Sequence, residues 1–317
     1  MRRGSFKIPE GLTIQQLGVS LFVVAIKTTY NNFIEKYIRN LPAGFKWQTT
    51  PLQIYPLEFI SNYLIVPTPL LKANNYFIVY TNAGHFEQQI GIENHTVHAP
   101  SVLFVPEGEA FSIKSLQNEL SGYFILLEDK AISSTVSNIE LSDLRMIETV
   151  IHLDTDNNNW LDTICNLLYN EVNSSKPNRN VGTGLLQVLL HKLIALSGTK
   201  KVISRQNEIA SNFKQLVNKS FKEHKLVEFY ARELNVSENY LNRCVKAQFN
   251  KRCKQLIRET TILQSQLLMF STTKDINEIC YEVGYDDPSY FSRVFKQLAG
   301  QTPSDFKKQI MHVLSWS

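Results

Sequence analysis

The spacing of apolar residues divides the chain into a strand-rich part and a helical part. From about residue 53 to residue 127, short β-branched and aromatic runs alternate with turn residues. The clearest runs are residues 76–80, 101–105 and 123–127. Several short strands at close spacing predict a small antiparallel barrel or sandwich.

After about Leu141 the apolar period becomes that of a helix. Six apolar residues share one predicted helix face: Leu161, Ile164, Cys165, Leu168, Tyr169 and Val172. Residues 174–184 are polar, with Pro177 and two glycines, and predict a loop. Residues 185–196 are apolar nearly all round, which predicts a helix with partners on several sides, in a core or at a subunit interface.

A polar, basic stretch at residues 197–207 predicts a boundary between two domains. A chain of 317 residues is long enough for two. We therefore predict an α+β, two-domain protein with an N-terminal extension at residues 1–46, a β-rich domain with helices at 47–200 and an all-α domain at 208–311.

Charge is distributed unevenly between these parts. Residues 1–200 carry 15 Lys and Arg against 17 Asp and Glu, whereas residues 201–317 carry 18 against 12. A basic excess confined to one domain favours a polyanionic partner, although a solvated basic surface is also compatible with it. With 43% hydrophobic and 20% charged residues, the composition excludes fibrous and disordered classes.

Cysteines and apolar runs give no sign of disulfides, zinc or a membrane. The four cysteines form no CxxC pair and have no histidines at zinc-finger spacing, so we expect reduced apolar residues. The longest apolar run, residues 17–26, is about half the length of a membrane span. Without a cleavage site after it, a cytoplasmic protein is expected.

A ten-residue pattern occurs twice in the helical part, at residues 237–246 and 287–296. Both copies have a capping residue, then Tyr, an apolar residue, a short polar residue, Arg and Lys. A shorter apolar helix precedes each copy, and Asn235 and Gly284 are suited to the left-handed backbone that ends it. Each unit is therefore predicted to form a helix, a tight turn and a second helix.

The second helix of each unit, at about residues 237–249 and 287–298, has a polar face that could enter a DNA major groove. The candidate contacts are Asn239, Asn242, Arg243, Lys246, Ser289, Ser292, Arg293 and Lys296. Arg pairs with guanine and Asn with adenine, whereas Lys and Ser hold phosphates or base edges. A solvated helix face is the other interpretation, and two copies in one register make it less favoured. A long predicted helix at residues 254–270 would hold the two helices about one DNA turn apart.

The last hundred residues resemble the DNA-binding domain of the AraC/XylS family of bacterial transcription regulators. The resemblance is strongest over residues 276–296 and 300–306. The chain departs from the family pattern at four positions. Asn250, Thr261, Cys280 and Tyr285 stand where the family usually has Gly, Arg, Ala and Phe, respectively. These departures concern base preference and linker packing rather than the fold.

Residues 53–200 resemble, more weakly, the cupin-like barrel of such regulators, through residues 101–108 and 122–127. The resemblance implies a sequence-specific transcription regulator, an activator or a repressor, that binds double-stranded DNA and contacts RNA polymerase, without a cofactor and without enzyme activity. It also implies a small effector, a sugar or an apolar molecule, in the barrel, and a homodimer formed by the helices of residues 141–196.

Three alternatives remain open. A metal-dependent cupin enzyme could use His85, Glu87, His95 and His98, but Phe111 stands where catalytic members usually have another His. Phe111 better suits an apolar or sugar-binding pocket. A DNA-repair methyltransferase would need an activated thiolate, and the repeated helices could instead bind a protein partner.

Overall fold

The computed structural model describes residues 38–39, 50–117, 119–137, 143–144, 147–197 and 205–315. The apolar run at residues 17–26 lies outside them. The chain divides into two compact units, of which the smaller comprises residues 1–45 and 63–65. In that unit Ile38 pairs with Leu64 in an antiparallel bridge, and the Arg39 N–H donates to the Tyr63 carbonyl at 3.0 Å. The strands and helices named below lie in the larger unit, apart from Tyr63 at the end of one helix.

The β-rich region consists of two antiparallel sheets. Its strands are β1 (Leu52–Pro56), β2 (Leu71–Lys72), β3 (Tyr76–Ala83), β4 (His85–Ile90), β5 (Glu93–His98), β6 (Ser101–Val105), β7 (Ala110–Leu116), β8 (Ser121–Leu127) and β9 (Val150–His152). The larger sheet has the order β1-β8-β3-β6-β9, and the smaller has the order β2-β7-β4-β5. The predicted antiparallel, β-rich region is confirmed.

Side chains of the larger sheet alternate between two buried faces. Tyr76 and Ile78 on β3 belong to one apolar core with helices α3 (Thr155–Val172) and α4 (Arg179–Leu196). Phe77 lies on the other face, where its ring centroid is 5.1 Å from that of Phe111 on β7, nearly edge-on. The larger sheet is therefore packed between helices and the smaller sheet. Two short helices, α1 (Leu57–Tyr63) and α2 (Asp129–Ser133), complete this region.

Helix α3 confirms the predicted amphipathic face, but two predictions nearby were wrong. The segment after Leu141 contains a strand, β9, which pairs with β6 and is too short to give a period of its own. The predicted loop at residues 174–184 ends early, because α4 already begins at Arg179. There the Asn178 side chain accepts hydrogen bonds from the N–H groups of Asn180 and Val181, which caps the helix despite the glycines that follow.

The C-terminal region is all helical, as predicted. Its helices are α5 (Arg205–Ser220), α6 (Val227–Glu233), α7 (Glu238–Phe249), α8 (Cys253–Ser271), α9 (Ile276–Glu282), α10 (Pro288–Ala299) and α11 (Pro303–Ser315). They share a second apolar core, to which every helix from α5 to α10 contributes buried residues. In the described parts of the chain, no helix combines the length and apolar character that a membrane span requires.

Candidate nucleic-acid interface

The first helix-turn-helix unit consists of α6 and α7. After α6, Asn235 adopts the left-handed conformation with a φ of 53°, as its residue type predicted. Ser237 then caps α7, because its Oγ accepts a hydrogen bond from the Tyr240 N–H at 3.2 Å. Helix α7 ends at Phe249, and the capping residue Asn250 that follows is again left-handed, with a φ of 52°.

The second unit, α9 and α10, repeats this geometry with other residues. Gly284 and Gly300 occupy the left-handed positions, with φ of 81° and 77°. Asp287 caps α10 by accepting from the Ser289 N–H at 2.8 Å, and Pro288 occupies the first helical position. Asp275 and Glu278 form a reciprocal capping box at the start of α9. The predicted turn chemistry is confirmed in both units.

Equivalent positions of the two second helices are buried. Helix α7 buries Leu241, Cys244 and Val245, and α10 buries Phe291, Val294 and Phe295, which lie 50 positions further along the chain. Because both helices rest on the same face, the opposite faces are presented in the same register. Six of the eight predicted DNA contacts are exposed on those faces: Asn239, Arg243, Lys246, Ser289, Arg293 and Lys296. Asn242 and Ser292 are half-buried.

An aromatic ring supports the arginine in each unit. The Arg243 guanidinium carbon lies 4.9 Å from the centroid of Tyr240, and that of Arg293 lies 5.8 Å from the centroid of Tyr290. Such contacts hold a guanidinium plane in a defined orientation. This role of the tyrosines was not predicted, although a Tyr stands three residues before the Arg in both copies of the repeat.

Tyr290 is itself held by the long helix α8. The Arg258 Nη2 donates a hydrogen bond to the Tyr290 hydroxyl at 2.9 Å. Around Tyr240 the surface is open: a cleft of about 510 Å³ is lined by Arg205, Val236, Ser237, Asn239, Tyr240 and Arg243. The exposed arginine of the first unit therefore borders an open cleft, whereas that of the second unit lies beside a ring that is hydrogen-bonded to α8.

Asn242 differs from the other candidates because its amide is already bonded within the protein. Its Oδ1 accepts from the Cys253 N–H at 3.1 Å, at the start of α8, and its Nδ2 donates to the Glu238 carbonyl at 3.1 Å. This pairing satisfies one of the free N–H groups at the start of α8. It fixes α7 to α8, a contact that no local sequence signal indicated.

Basic side chains cluster where α8 begins, at Lys251, Arg252 and Lys254. The Lys251 ammonium lies between two carboxylates, at 3.0 Å from Glu259 Oε2 and 2.6 Å from Glu93 Oε1 on β5. Burial opposes the charge of Lys251, but its bonds to Glu93 and Glu259 outweigh burial and raise its pKa. The hydrogen bond from Lys251 lowers the pKa of the Glu93 carboxyl.

A second ion pair joins the same two regions, between Lys214 on α5 and Glu109 in the loop before β7. The Lys214 ammonium also lies 5.8 Å from the ring centroid of Phe249, the last residue of α7. The β-rich region therefore contacts the helical region close to the C-terminal end of α7.

The residues considered for enzyme chemistry lie in less suitable surroundings. All four thiols are buried, and burial raises the pKa of Cys165, of Cys253 to about 12 and of Cys280 to about 11, which disfavours the reactive thiolate. Within the described ranges, no three or more His, Cys, Asp or Glu side chains are grouped to hold a metal ion. His85 and His98 are cross-strand neighbours on β4 and β5.

Comparison with known proteins agrees with this geometry. A helix-turn-helix domain family matches residues 230–309. The Msm operon regulatory protein of Streptococcus mutans is 27% identical over 146 residues, which cover 44% of this chain and 52% of that protein. The lactose operon transcription activator of Staphylococcus xylosus is 23% identical over 68% of this chain and 77% of that protein. The resemblance predicted for the last hundred residues is confirmed.

Among solved structures, that of ToxT from Vibrio cholerae is 18% identical and covers 81% of this chain and 97% of that one, with a TM-score of 0.44. The chain spans about half the length, or less, of the first curated relatives that it matches, with 52% and 38% of their residues covered.

Proposed function

We propose, from a helix-turn-helix domain of the AraC/XylS type at residues 230–309, that this protein is a sequence-specific DNA-binding transcription regulator. Helices α7 and α10, which we call the recognition helices, would enter successive segments of the major groove of one duplex. The observation that carries the proposal is the repeated arginine, exposed at the same register of both helices and oriented by a tyrosine ring in each.

Arg243 and Arg293 are assigned to base reading, because a guanidinium can donate two parallel hydrogen bonds to guanine. Lys246 and Lys296, one helical turn further along, are assigned to phosphates. Asn239, Ser289 and Ser292 assist at the same face. Asn242 was predicted to assist as well, but its amide bonds favour a role in holding α8 against α7.

The test is selection of bound duplexes from a random DNA library by the full chain at near-physiological salt. We expect enrichment of a site with two short blocks about 10 base pairs apart, one for each recognition helix. The matched control carries Arg243→Ala and Arg293→Ala together and should enrich neither block. No enriched sequence with the unmodified chain, or a single block, would contradict the proposal.

The salt dependence of binding distinguishes DNA binding from a protein-binding role of the repeated helices. Binding to duplex DNA releases counterions, so the affinity for a selected site should fall steeply as salt is raised. A complex with a protein surface of mixed charge has no such dependence on the number of phosphates. The buried thiols and the regulator names of the relatives favour regulation over an enzyme activity.

We extend the proposal to activation through RNA polymerase. Its support is the relative of Staphylococcus xylosus, which is named a transcription activator and of which 77% is covered. A reporter placed behind a selected site should gain transcription in the presence of the chain, and a loss of transcription would indicate a repressor instead.

The β-rich region is proposed to bind a small polar effector between its sheets. Thr81 on β3 and Ser101 on β6 are direct cross-strand partners and are fully buried. Neither hydroxyl makes a hydrogen bond to any residue that the structure describes. A buried hydroxyl without a partner is costly, and a sugar hydroxyl would satisfy it.

The effector is tested by thermal unfolding of the full chain with a panel of mono- and disaccharides, and with an apolar fatty acid as the competing class. A saccharide that binds the folded state should raise the Tm. A variant with Thr81→Val and Ser101→Ala should lose that rise. A Tm that moves only with the fatty acid would contradict a polar effector.

A second copy of the chain is proposed to pack against α4. Exposed small or apolar residues follow each other there at helical spacing, and Val181 and Val188 are 45% and 48% exposed. Gly184 lies between them in the stripe, and Ala195 lies seven residues after Val188, with the exposed His191 between the two. Spacing of three and four residues is that of a helix–helix seam, and a glycine within it permits close approach.

Light scattering on the purified chain tests the dimer. We expect Val188→Lys to shift the mass from dimer to monomer, because it places a charge in the seam. The matched control, Gln187→Lys, alters the neighbouring exposed position of α4 and should remain dimeric. An unmodified chain that is monomeric at tens of micromolar contradicts the seam.

The contact between β5 and the start of α8 is proposed to restrain DNA binding. Glu93 holds the Lys251 ammonium beside the basic cluster that would face phosphates. Glu93→Gln should raise affinity for a selected site about two- to fivefold, the range expected of a partly exposed ion pair. Glu87→Gln on β4 is the control and should leave affinity unchanged. Equal affinities for all three proteins would exclude a restraint by Glu93.

A further inference from the structure

A partly buried lysine connects the two helix-turn-helix units. Lys225 lies in the connection between α5 and α6, and its ammonium donates to the carbonyl of Phe221, the first residue after α5. It also donates to the Val283 carbonyl at 2.6 Å, in the turn of the second unit. The hydroxyl of Thr261, in the middle of α8, lies 3.5 Å away. The Lys225 side chain therefore contacts three segments: the α5–α6 connection, the helix α8 between the two units, and the turn of the second unit.

The surroundings of Lys225 place two aromatic rings and a hydroxyl beside its ammonium. Its Nζ lies 5.4 Å from the ring centroid of Phe221 and 5.3 Å from that of Tyr285, so two aromatic rings flank the ammonium. Thr261 is fully buried and donates its own hydroxyl proton to the Ile257 carbonyl at 2.8 Å. Its oxygen is thus oriented to accept from Lys225.

A second contact brings the same segments together independently of Lys225. A Cβ added to Gly284 would lie 1.9 Å from the Lys222 carbonyl oxygen, closer than any side chain allows. The backbone of the second turn therefore runs directly against the α5–α6 connection. This close approach leaves little freedom for the second unit unless the connection itself moves.

We propose that Lys225 is a positioning residue that sets the placement of α10 relative to α7, and thereby the spacing of the two DNA blocks that the protein reads. The part about DNA spacing rests on the proposed function, whereas the placement of the two helices does not. The Thr at position 261, where the resembled pattern has Arg, fits this role. In this protein the cation that contacts α8 at this position is Lys225, from the connection between α5 and α6.

The placement is measured without DNA, by the distance distribution between two spin labels on the full chain. Ala247→Cys on α7 and Gln297→Cys on α10 give exposed labelling sites at equivalent positions of the two helices, while the native thiols are buried. Lys225→Met should broaden this distribution about twofold, because the side chain stays unbranched and apolar along its stem but loses the ammonium whose bonds fix the second turn. Lys219→Met, at an exposed lysine of α5, is the control and should leave the width unchanged.

Relocating the charge distinguishes positioning from general support of the fold. Adding Thr261→Arg to Lys225→Met should restore the narrow distribution, since a guanidinium on α8 would reach the same carbonyls. Thr261→Arg alone should lower the Tm, because two cations then share one site. If Lys225→Met does not fold, Lys225→Gln, which keeps a polar donor, is measured in the same way. An unchanged width in whichever variant folds, or a double variant as broad as Lys225→Met, overturns the proposal.

The DNA consequence is measured on the selected site with one base pair inserted or removed between its blocks. The unmodified chain should discriminate against both changes, and Lys225→Met should lose most of that discrimination while binding a single block as before. An unmodified chain that selects no site contradicts the proposed function, and the label distances still decide on Lys225. A Lys225→Met variant with unaltered discrimination overturns the positioning role.

Discussion

The two helix-turn-helix units present the same geometry but build it from different residues. The first unit places Asn235 and Asn250 in its two left-handed positions, and the second places Gly284 and Gly300 there. The recognition helix of the first unit rests on Leu241, Cys244 and Val245. That of the second rests on an aromatic series in which the ring centroids of Phe291, Phe295 and Phe306 follow each other at 5.8 and 5.6 Å.

This difference separates what the turn requires from what its surroundings require. An asparagine satisfies the left-handed backbone at both positions of the first unit, so the turn itself does not demand glycine. At Gly284 the neighbouring Lys222 carbonyl excludes any Cβ, whereas a Cβ at Gly300 meets nothing within 4 Å. Of the four left-handed positions, only Gly284 therefore requires glycine because of its packing.

Gly284→Ala should have the largest effect on this comparison. It combines the left-handed penalty with a backbone clash, and we expect it to lower the free energy of unfolding by about 2 to 5 kcal/mol. Gly300→Ala, at nearly the same φ but in open space, should cost only about 1 to 2 kcal/mol. Urea unfolding of both variants measures the difference, and equal losses would refute the role of the Lys222 carbonyl.

The arginines should behave alike although their units are built differently. Arg243→Ala and Arg293→Ala should each weaken specific DNA binding by about 1 to 3 kcal/mol, with little change in stability, because both side chains are exposed. Titration of a fluorescent duplex carrying the selected site measures this. Wild-type affinity for the same site in either variant would refute base reading by that arginine.

Replacing an asparagine of the first unit by the glycine found in the second tests the comparison with a smaller expected change in stability. Asn250→Gly should stabilise the protein by roughly 0.5 to 1 kcal/mol, because glycine adopts a positive φ without the steric cost of a side chain. Ala247→Gly, three residues earlier and exposed within α7, should cost about 1 kcal/mol instead, because glycine has the lower helix propensity. The two thermal unfolding curves should move in opposite directions, and a loss of stability at position 250 would contradict the strain argument.

The lysine between the units should make stability depend weakly on pH. Burial lowers the pKa of Lys225 to about 8, against an ordinary value of 10.5. Between these values the unfolded chain binds more protons than the folded one, so this group's contribution to stability rises with pH. From pH 8 to pH 9.5 we expect a gain under about 1 kcal/mol in the unmodified chain that is absent in Lys225→Met. The same pH response in both proteins would contradict this.

Local chemistry was predictable and tertiary chemistry was not. The caps at Ser237 and Asp287 and the left-handed turns depend on residues within a few positions of each other, so the sequence pattern predicted them. The strand β9 has only three residues and takes its structure from pairing with β6. Asn242 also bonds a residue 11 positions away, and Lys225 bonds one 58 positions away, and no periodic pattern in the sequence indicates such pairs.

In the candidate site, the sequence predicted six of the exposed side chains on α7 and α10, but not that Asn242 and Ser292 are half-buried. It did not predict the tyrosine supports, because a Tyr on an amphipathic helix is more simply explained as part of the core. The contact of Lys251 with Glu93 depends on how the β-rich region packs against the helices, which is determined by side chains far apart in the chain.

The Lys251 ion pair also alters how many counterions DNA binding would release. A phosphate that engages Lys251 does not neutralise a free cation; it exchanges for the Glu93 carboxylate, which then takes up a counterion of its own. The slope of affinity against salt should therefore be shallower, by roughly one charge, than the number of phosphate contacts implies. Glu93→Gln should steepen the slope even though Glu259 still pairs with Lys251, so ionic strength would report whether the β-rich region stays attached to the helical region on DNA.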